Sequence, residues 1–294
     1  MDVSVIIVNY NTVNLLCNCI NSIYDKTKGV DYEIIVVDNH STDGSIEILK
    51  RKYPQVRLIE NLKNLGFGKS NNLGVSISKG RYLLLLNSDT IFCNNAIKRF
   101  IDFYESHLDM NLGVIGGWLL NERGEVIHSA GEFMTMMSMI KKYCYIFCSK
   151  YLKIIQYKKQ SNIKSQLFVQ ADYVTGADLF METTLFKEIG GFDEDFFMYA
   201  EDMYLQKQIA KTGRKNYLIK GPQIIHLEGR SCKINWKKRL LIDKSMFVYF
   251  RKEYAAWKVE LFKKFYIFLS VFAMKYRNAS KEELMCFQEE SRKW

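Results

Sequence analysis

The chain has 294 residues, 48% of them hydrophobic, and a net charge of +10. That is ample for one large α/β domain with additions or for two smaller ones. Only two prolines and no low-complexity tract argue against a linker-rich or disordered protein, and seven Cys without a C-x-x-C pair exclude a spaced zinc site.

Val3–Val8 reads as a strand that breaks at Asn9-Tyr10-Asn11-Thr12, followed by a helix through Leu15, Leu16, Cys19, Ile20 and Ile23. Glu33–Val37 is a second buried strand, ending in Asp38-Asn39-His40-Ser41-Thr42-Asp43-Gly44, with a helix from Ser45. Val56–Ile59 is a third, short strand, and residues 64–79 form a Gly- and Asn-rich turn with a helix. The run Arg81-Tyr-Leu-Leu-Leu-Leu-Asn87-Ser88-Asp89 then reads as a buried parallel strand tipped by a carboxylate. Its end is where open α/β sheets place ligands. The strand–helix alternation predicts a mostly parallel sheet covered by helices.

Beyond Asp89 the pattern is mixed. Leu112–Gly117 and Gln166–Thr175 read as strands, with Gly124–Ser129 as an edge. Thr184–Ile189 is a short helix stopped by Gly190-Gly191, and Ala200–Thr212 a second, stopped by Gly213. Asn216–Ile219 and Gln223–His226 read as two short strands, and the chain from Asn235 to Arg277 as basic, aromatic helix.

Charge is uneven along this order. Residues 133–160 hold six Lys and no acid, and residues 230–265 hold eleven Lys or Arg against three acids. These patches carry more than the whole net charge, so the remainder is acidic. Such patches suit phosphate-rich partners, nucleic acid or anionic membrane. The irregular Cys spacing predicts reduced thiols, and Met-Asp-Val-Ser-Val lacks the basic start of a signal peptide, so the expected compartment is cytoplasmic.

Gly66-Phe-Gly68-Lys69-Ser70 is not a P-loop, because Lys63 stands where its first Gly belongs. Asn71 likewise breaks a dinucleotide fingerprint. The segment reads either as a tight turn into a helix or as a helix start that approaches a ligand. Asp38 and Asp89 both end parallel strands, where two acids can serve a nucleotide and a divalent cation. Asp43 is the better cap for the helix near Ser45, which leaves Asp38 unexplained by capping. Glu201-Asp202 open a helix, where carboxylates are favoured, and the aromatics of 192–199 can keep one of them basic enough to act as a general base. His226 closes a strand ahead of Gly229.

Four pieces occur in one order: Val-Ser-Val-Ile-Ile-Val-Asn-Tyr-Asn, Val-Val-Asp38-Asn-His-Ser-Thr-Asp-Gly-Ser, Asn64-Leu-Gly-Phe-Gly-Lys-Ser-Asn-Asn72-Leu-Gly with Leu-Asn87-Ser-Asp89, and Gly190-Gly-Phe-Asp-Glu with Glu201-Asp202. Together they resemble glycosyltransferase family 2, the inverting enzymes of GT-A fold, and within it the rhamnosyltransferase-like subgroup. The resemblance covers about residues 1–230. It implies a Rossmann-like GT-A domain over 1–230, with 133–160 as a basic aromatic insertion and 231–294 as a helical extension. It implies that Val8, Tyr10 and Asp38 hold the nucleotide base, that Asn71 and Asn72 border the nucleotide, that Ser88 and Asp89 belong to the nucleotide-sugar site, and that Asp178, in a loop lining the donor–acceptor junction, belongs to it too. Asp202 matches the catalytic base, with Glu201 and Tyr199 on the acceptor side. Asp89 and His226 match metal positions for Mg²⁺ or Mn²⁺. The chain departs from the family at Asn87, where the metal motif has its first acid, and at Tyr204, where many relatives carry Asp.

The implied reaction is a single in-line displacement. A hydroxyl of a glycan or lipid-linked acceptor attacks a nucleotide-diphospho-sugar of the dTDP-rhamnose or UDP-sugar type, in surface polysaccharide synthesis. Phe265–Met274, flanked by Lys263, Lys264, Lys275 and Arg277, is too short to span a bilayer. It reads either as a helix lying on an anionic membrane, at the inner face, or as a core or homodimer helix. Two other function classes compete. A nucleotidyltransferase would want a Gly-rich basic loop that Val8–Leu15 lacks, and a nucleic-acid-binding protein would want its charge along one groove, whereas here the charge avoids the acidic region.

Overall fold

The computed structural model describes residues 1–141, 167–227, 236–276 and 279–294. The chain forms two compact units, Met1–Phe133 with Ser165–Lys233, and Met134–Lys164 with Ile234–Trp294. Most of the basic segment 133–160 lies outside the described residues.

The first unit begins with four parallel strands, Val3–Asn9 (β1), Tyr32–Asp38 (β2), Arg57–Glu60 (β3) and Tyr82–Asn87 (β4), in the order β3-β2-β1-β4. Helices Val13–Lys26 (α1), Ser45–Lys52 (α2) and Phe67–Ser76 (α3) return the chain between them. The register Asn9↔Asp38 and Val8↔Asn87 brings three strand ends level at one carboxyl edge. Burial on both faces explains why these strands are continuous apolar runs rather than alternating ones.

The second half adds Thr90–Phe92 (β5), Ala96–Ser106 (α4), Leu112–Leu120 (β6), Ala130–Gly131 (β7), Phe168–Ala171 (β8), Tyr173–Val174 (β9), Asp178–Glu182 (β10), Thr183–Glu188 (α5), Glu201–Lys211 (α6) and Lys215–His226 (β11). The main sheet runs β3-β2-β1-β4-β10-β6-β11-β5, with β8 on β11, while β7 and β9 pair separately. It is a mixed sheet: β10 is antiparallel to β4 and β6, and β11 is parallel to β6 but antiparallel to β5. One side buries Ile7, Leu84 and Phe180, the other Ile6, Leu85 and Leu179. On the second side α3 lies so close to β1 that a Cβ on Gly74 would sit 2.5 Å from the Ile6 side chain.

Several elements differ from the sequence reading. β5, α4 and β10 were not expected. The predicted strand 166–175 is two short strands in different sheets, β8 and β9. The predicted pair 216–219 and 223–226 is one strand, β11, whose register shift between Ile219 and Gln223 absorbs Gly221-Pro222. The predicted edge at 124–129 reduces to a single bridge, Leu120↔Val126.

In the second unit the expected helical segment from Asn235 to Arg277 contains two helices, Trp236–Glu253 (α7) and Ala256–Tyr276 (α8), followed by Lys281–Arg292 (α9). Phe247 packs against Phe262, Tyr266 and Trp294 with ring centroids 5.9, 5.5 and 5.3 Å away. Among the described residues no helix is long and apolar enough to cross a membrane.

Candidate active site

The carboxyl edge of β1, β2 and β4 carries a buried polar network. Asp38 is fully buried, accepting from the Asn9 amide at 2.7 Å and from the Ser41 N–H at 2.7 Å. Ser41 Oγ in turn accepts from Asn9 at 3.1 Å and from the Asn11 N–H at 2.9 Å. Asn11 and His40 both adopt left-handed backbone, so the loops after β1 and β2 are zipped face to face. Asp43 completes the zip by accepting from Val13 N–H at 2.8 Å, capping α1, and from the Ser45 hydroxyl at 2.5 Å. The hydrogen bonds from Ser45 and Val13 outweigh the desolvation that opposes them and hold the Asp43 carboxyl below its ordinary range. Asp38 therefore builds the loop pair, and Tyr10, half exposed, is the aromatic face beside it. Val8 lies directly below as part of β1.

At the tip of β4, Ser88 shares a 3.0 Å hydrogen bond with Thr12. Asp89 is buried and lies 3.2 Å from His226 Nε2, which is also 3.4 Å from the Asn87 amide. The strand that sequence reading missed makes this meeting. β5 pairs with β11 so that Thr90 faces His226, and Leu227 N–H donates to the Asp89 carbonyl at 2.9 Å. The pair's spacing suits one divalent cation, since two ligands held at right angles about 2.1 Å from an ion are about 3 Å apart. No group of three or more His, Cys, Asp or Glu converges for a metal among the described residues. A divalent cation held here would draw on Asp89 and His226 among the described residues, with phosphate and water completing its shell.

Asn71 and Asn72 both bond to backbone from α3. Asn71 is buried on α3 and donates to the Phe67 carbonyl at 3.1 Å. Asn72 makes two hydrogen bonds with the Phe192 backbone, both 2.9 Å. Phe67 N–H also donates to the Phe197 carbonyl at 3.0 Å. The start of α3 therefore clamps the loop 190–200 at both ends. That loop finishes in two consecutive left-handed residues without glycine, Tyr199 at φ 73° and Ala200 at φ 63°. Each such residue costs on the order of 1–3 kcal/mol and persists only where surrounding contacts enforce it. Here the enforced turn aims Glu201 and Asp202, the first two residues of α6.

Asp202 is half-buried. Its carboxylate accepts from Gly176 N–H and Met203 N–H, each at 2.8 Å. A Cβ on Gly176 would lie 3.0 Å from Asp202 Oδ2, so the close approach requires glycine or a shift of the acid. Desolvation raises the Asp202 carboxyl above its ordinary value, against the two N–H bonds and the charge of His128. Glu201 beside it is buried, with Oε2 lacking a hydrogen-bond partner, and desolvation together with the Asp202 charge pushes it up to about 8. The two N–H donors favour the ionised form of Asp202, whereas burial and the neighbouring charge favour the neutral form of Glu201. Glu201 binds more protons folded than unfolded between its ordinary 4.5 and about 8. Stability therefore falls as pH rises through that window. Glu201→Gln is expected to flatten this slope, read as Tm against pH from 5 to 8 by calorimetry; an unchanged slope would place the titration elsewhere.

Two further residues escaped the sequence reading. Gln206, fully buried one turn beyond Asp202, donates to the Val174 carbonyl at 2.7 Å and accepts from Val174 N–H at 2.8 Å. It fixes the segment that carries Gly176. Gln206→Ala leaves both backbone groups buried and unpaired, and is expected to lower stability by about 2–3 kcal/mol in urea titration. His128, one of four histidines, is exposed and near enough for its charge to favour ionised Asp202. Asp178, at the start of β10, is fully buried and accepts from Gly117 N–H at 2.7 Å. Burial raises its carboxyl well above the usual range, against the Gly117 N–H bond. Tyr199, Glu201 and Asp202 are thus brought together, as are Asp89 and His226, while Asp178 stands within the sheet opposite Leu86. A cavity of about 260 Å³ between Lys63–Leu65, Lys69 and Glu194–Phe197 is lined by none of Asp38, Asp89, Asp202 or His226.

Comparison with known proteins agrees with this architecture. A poly(ribitol-phosphate) beta-glucosyltransferase of Bacillus spizizenii is 38% identical over 130 residues, which are 42% of this chain and 20% of that protein. An N-acetylglucosaminyl-diphospho-decaprenol L-rhamnosyltransferase of Mycobacterium tuberculosis is 23% identical over 240 residues, 76% of each chain. Among solved structures, a mannosyltransferase of Pyrobaculum calidifontis in complex with GDP-Man and Mn²⁺ superposes with a TM-score of 0.58 at 17% identity, covering 85% of this chain and 63% of that one. Staphylococcus aureus TarS 1-349 with UDP gives 0.51 at 19% identity, covering 82% and 64%. These structural likenesses establish a GT-A fold. The model of glycosyl transferase family 2 matches residues 4–166, more than half of the sequence, and the chain belongs to that family.

Proposed function

We propose that the protein transfers a sugar, with inversion, from a nucleotide-diphospho-sugar of the UDP or dTDP type to a hydroxyl of a surface-polysaccharide acceptor, glycan or lipid-linked. The observation that carries this reading is the convergence of Asp89 and His226 at 3.2 Å on the same sheet edge as the Asn9–Asp38–Ser41 network. The names of the relatives favour acceptors of this class: one acts on poly(ribitol-phosphate), another on a decaprenol-linked diphosphate sugar.

In this reading Tyr10 and the loops tied by Asp38 flank the base, and Ser88 and Asp89 face the diphosphate. The Asp89 carboxylate and His226 imidazole would hold Mg²⁺ or Mn²⁺, which supplies charge to the leaving diphosphate. Asp202 takes the proton from the acceptor hydroxyl as its oxygen attacks the anomeric carbon. Neutral Glu201 adds no second negative charge beside that base, and Tyr199 borders the acceptor. Because attack and departure occur on opposite faces of the sugar carbon, one displacement inverts it.

Calorimetric titration of UDP and dTDP with and without Mn²⁺ tests the donor half. Mn²⁺ is expected to tighten binding of one nucleotide at least about tenfold in the wild type, and His226→Ala to remove that gain. Equal affinities with and without the ion would exclude the metal role. Nucleoside diphosphate release, followed with a panel of nucleotide-sugars and a polyol-phosphate or lipid-linked acceptor, then identifies the donor.

A further inference from the structure

Helix α8 is apolar on two opposite sides. One side buries Val259, Phe262, Tyr266 and Met274, where Phe262 and Tyr266 pack on Phe247. The other exposes a row at helical spacing, Trp257 (66% exposed), Leu261, Phe265 and Phe268 (69% exposed). A helix with a single buried side would show polar residues there. Four large apolar groups in one row form the kind of patch that marks an interaction site.

The charges say what covers it. Lys258, Lys264 and Lys275 are exposed along this row, and Glu260 is the one acid on the helix. Lys264 stands three residues after Leu261 and four before Phe268, so it lies within the apolar stripe rather than across from it. A protein interface depletes lysine from its centre, whereas lysines beside buried apolar groups at a lipid surface reach up to the phosphates. Trp and Phe beside Lys are the residues that settle at the headgroup boundary. The helix is about 31 Å long and lies flat on this account.

We propose that α8 docks the protein on an anionic lipid surface through Trp257, Leu261, Phe265 and Phe268, with Lys258, Lys264 and Lys275 contacting lipid phosphates. None of the site residues belongs to this helix, so the inference stands apart from the transferase reading.

The test uses the full chain and flotation with two kinds of vesicle, phosphatidylcholine alone and phosphatidylcholine with about 30% phosphatidylglycerol. The expected result is binding to the anionic vesicles at least about tenfold stronger than to the neutral ones, weakened by salt. Phe265→Ser/Phe268→Ser, which alters only exposed positions, should lower that binding at least about tenfold, and Lys258→Glu/Lys264→Glu should abolish the preference for anionic lipid. No binding to anionic vesicles, or binding unchanged in both variants, overturns the proposal. A wild-type dimer in light scattering that Phe265→Ser/Phe268→Ser converts to monomer, without vesicle binding, assigns the face to a second copy instead.

Discussion

Asp202→Asn is expected to slow sugar transfer by about a thousandfold while nucleotide affinity stays within about twofold of wild type. The separation follows from where the residue stands. Asp202 is tied to the 173–178 segment through Gly176, whereas the groups proposed for the nucleotide lie at the ends of β1, β2 and β4. The substitution also has a local cost. Asp202 accepts from two N–H donors with two oxygens, and an Asn amide offers only one acceptor, so the Gly176 or Met203 N–H loses its partner. Removing a desolvated charge offsets part of that cost, so the melting temperature should move little. Kinetics on the purified variant decide the matter: a fall confined to turnover marks a base, while retained turnover would remove Asp202 from the reaction.

Gly66→Ala is expected to lower stability by about 3 kcal/mol and to abolish transfer, although Gly66 is not proposed to touch substrate. Its φ is +85°, and an added Cβ would lie 2.0 Å from the Phe197 carbonyl oxygen. The carbonyl cannot yield without releasing the hydrogen bond from Phe67 N–H, which holds the loop that aims Asp202. Gly124→Ala is the control. It shares a left-handed φ of +74° but has nothing within 4 Å, so it should cost about 1 kcal/mol and leave transfer intact. Urea midpoints and initial rates on the two variants separate backbone strain from steric displacement; equal losses would show that the Phe197 contact does not matter.

The fold was legible where the chain is buried on both faces and obscure where its signals are short or interrupted. β1, β2 and β4 are apolar runs that nothing else explains. β10 was missed because Asp178 and Glu182 stand at the ends of a five-residue strand and leave only three apolar residues between them. β5 has three residues, below the length at which a period can be read. α4 carries its helical pattern in Ala96, Ile97, Phe100, Ile101 and Tyr104, all buried. Pro222 reads as a strand breaker because it lacks an N–H, yet the bulged register of β11 accommodates it.

The site divides in the same way. The acids at strand ends were visible, and the resemblance named Asp202 and His226. Their supports were not visible. The contact of Gly66 with Phe197, the grip of Gln206 on Val174 and the approach of His128 to Asp202 join distant segments and leave no periodic trace. The family match ends at residue 166, so it does not reach Asp202 or His226, and their assignment rests on geometry and the resemblance together.

The two halves of the site also differ in how far along the chain their parts are drawn from. The Asn9–Asp38 contact spans 29 residues within adjacent parallel strands, whereas Asn87 and His226 are 139 apart and meet only when β11 has paired with β5. Closing the longer loop costs more chain entropy and is rewarded later in folding. The loop pair tied by Asp38 can therefore form while the chain is still folding, but the Asp89–His226 pair, proposed above to serve the diphosphate, completes only with the last strand of the sheet. Under the proposed function, nucleotide retention that depends on His226 would report that the whole sheet has closed.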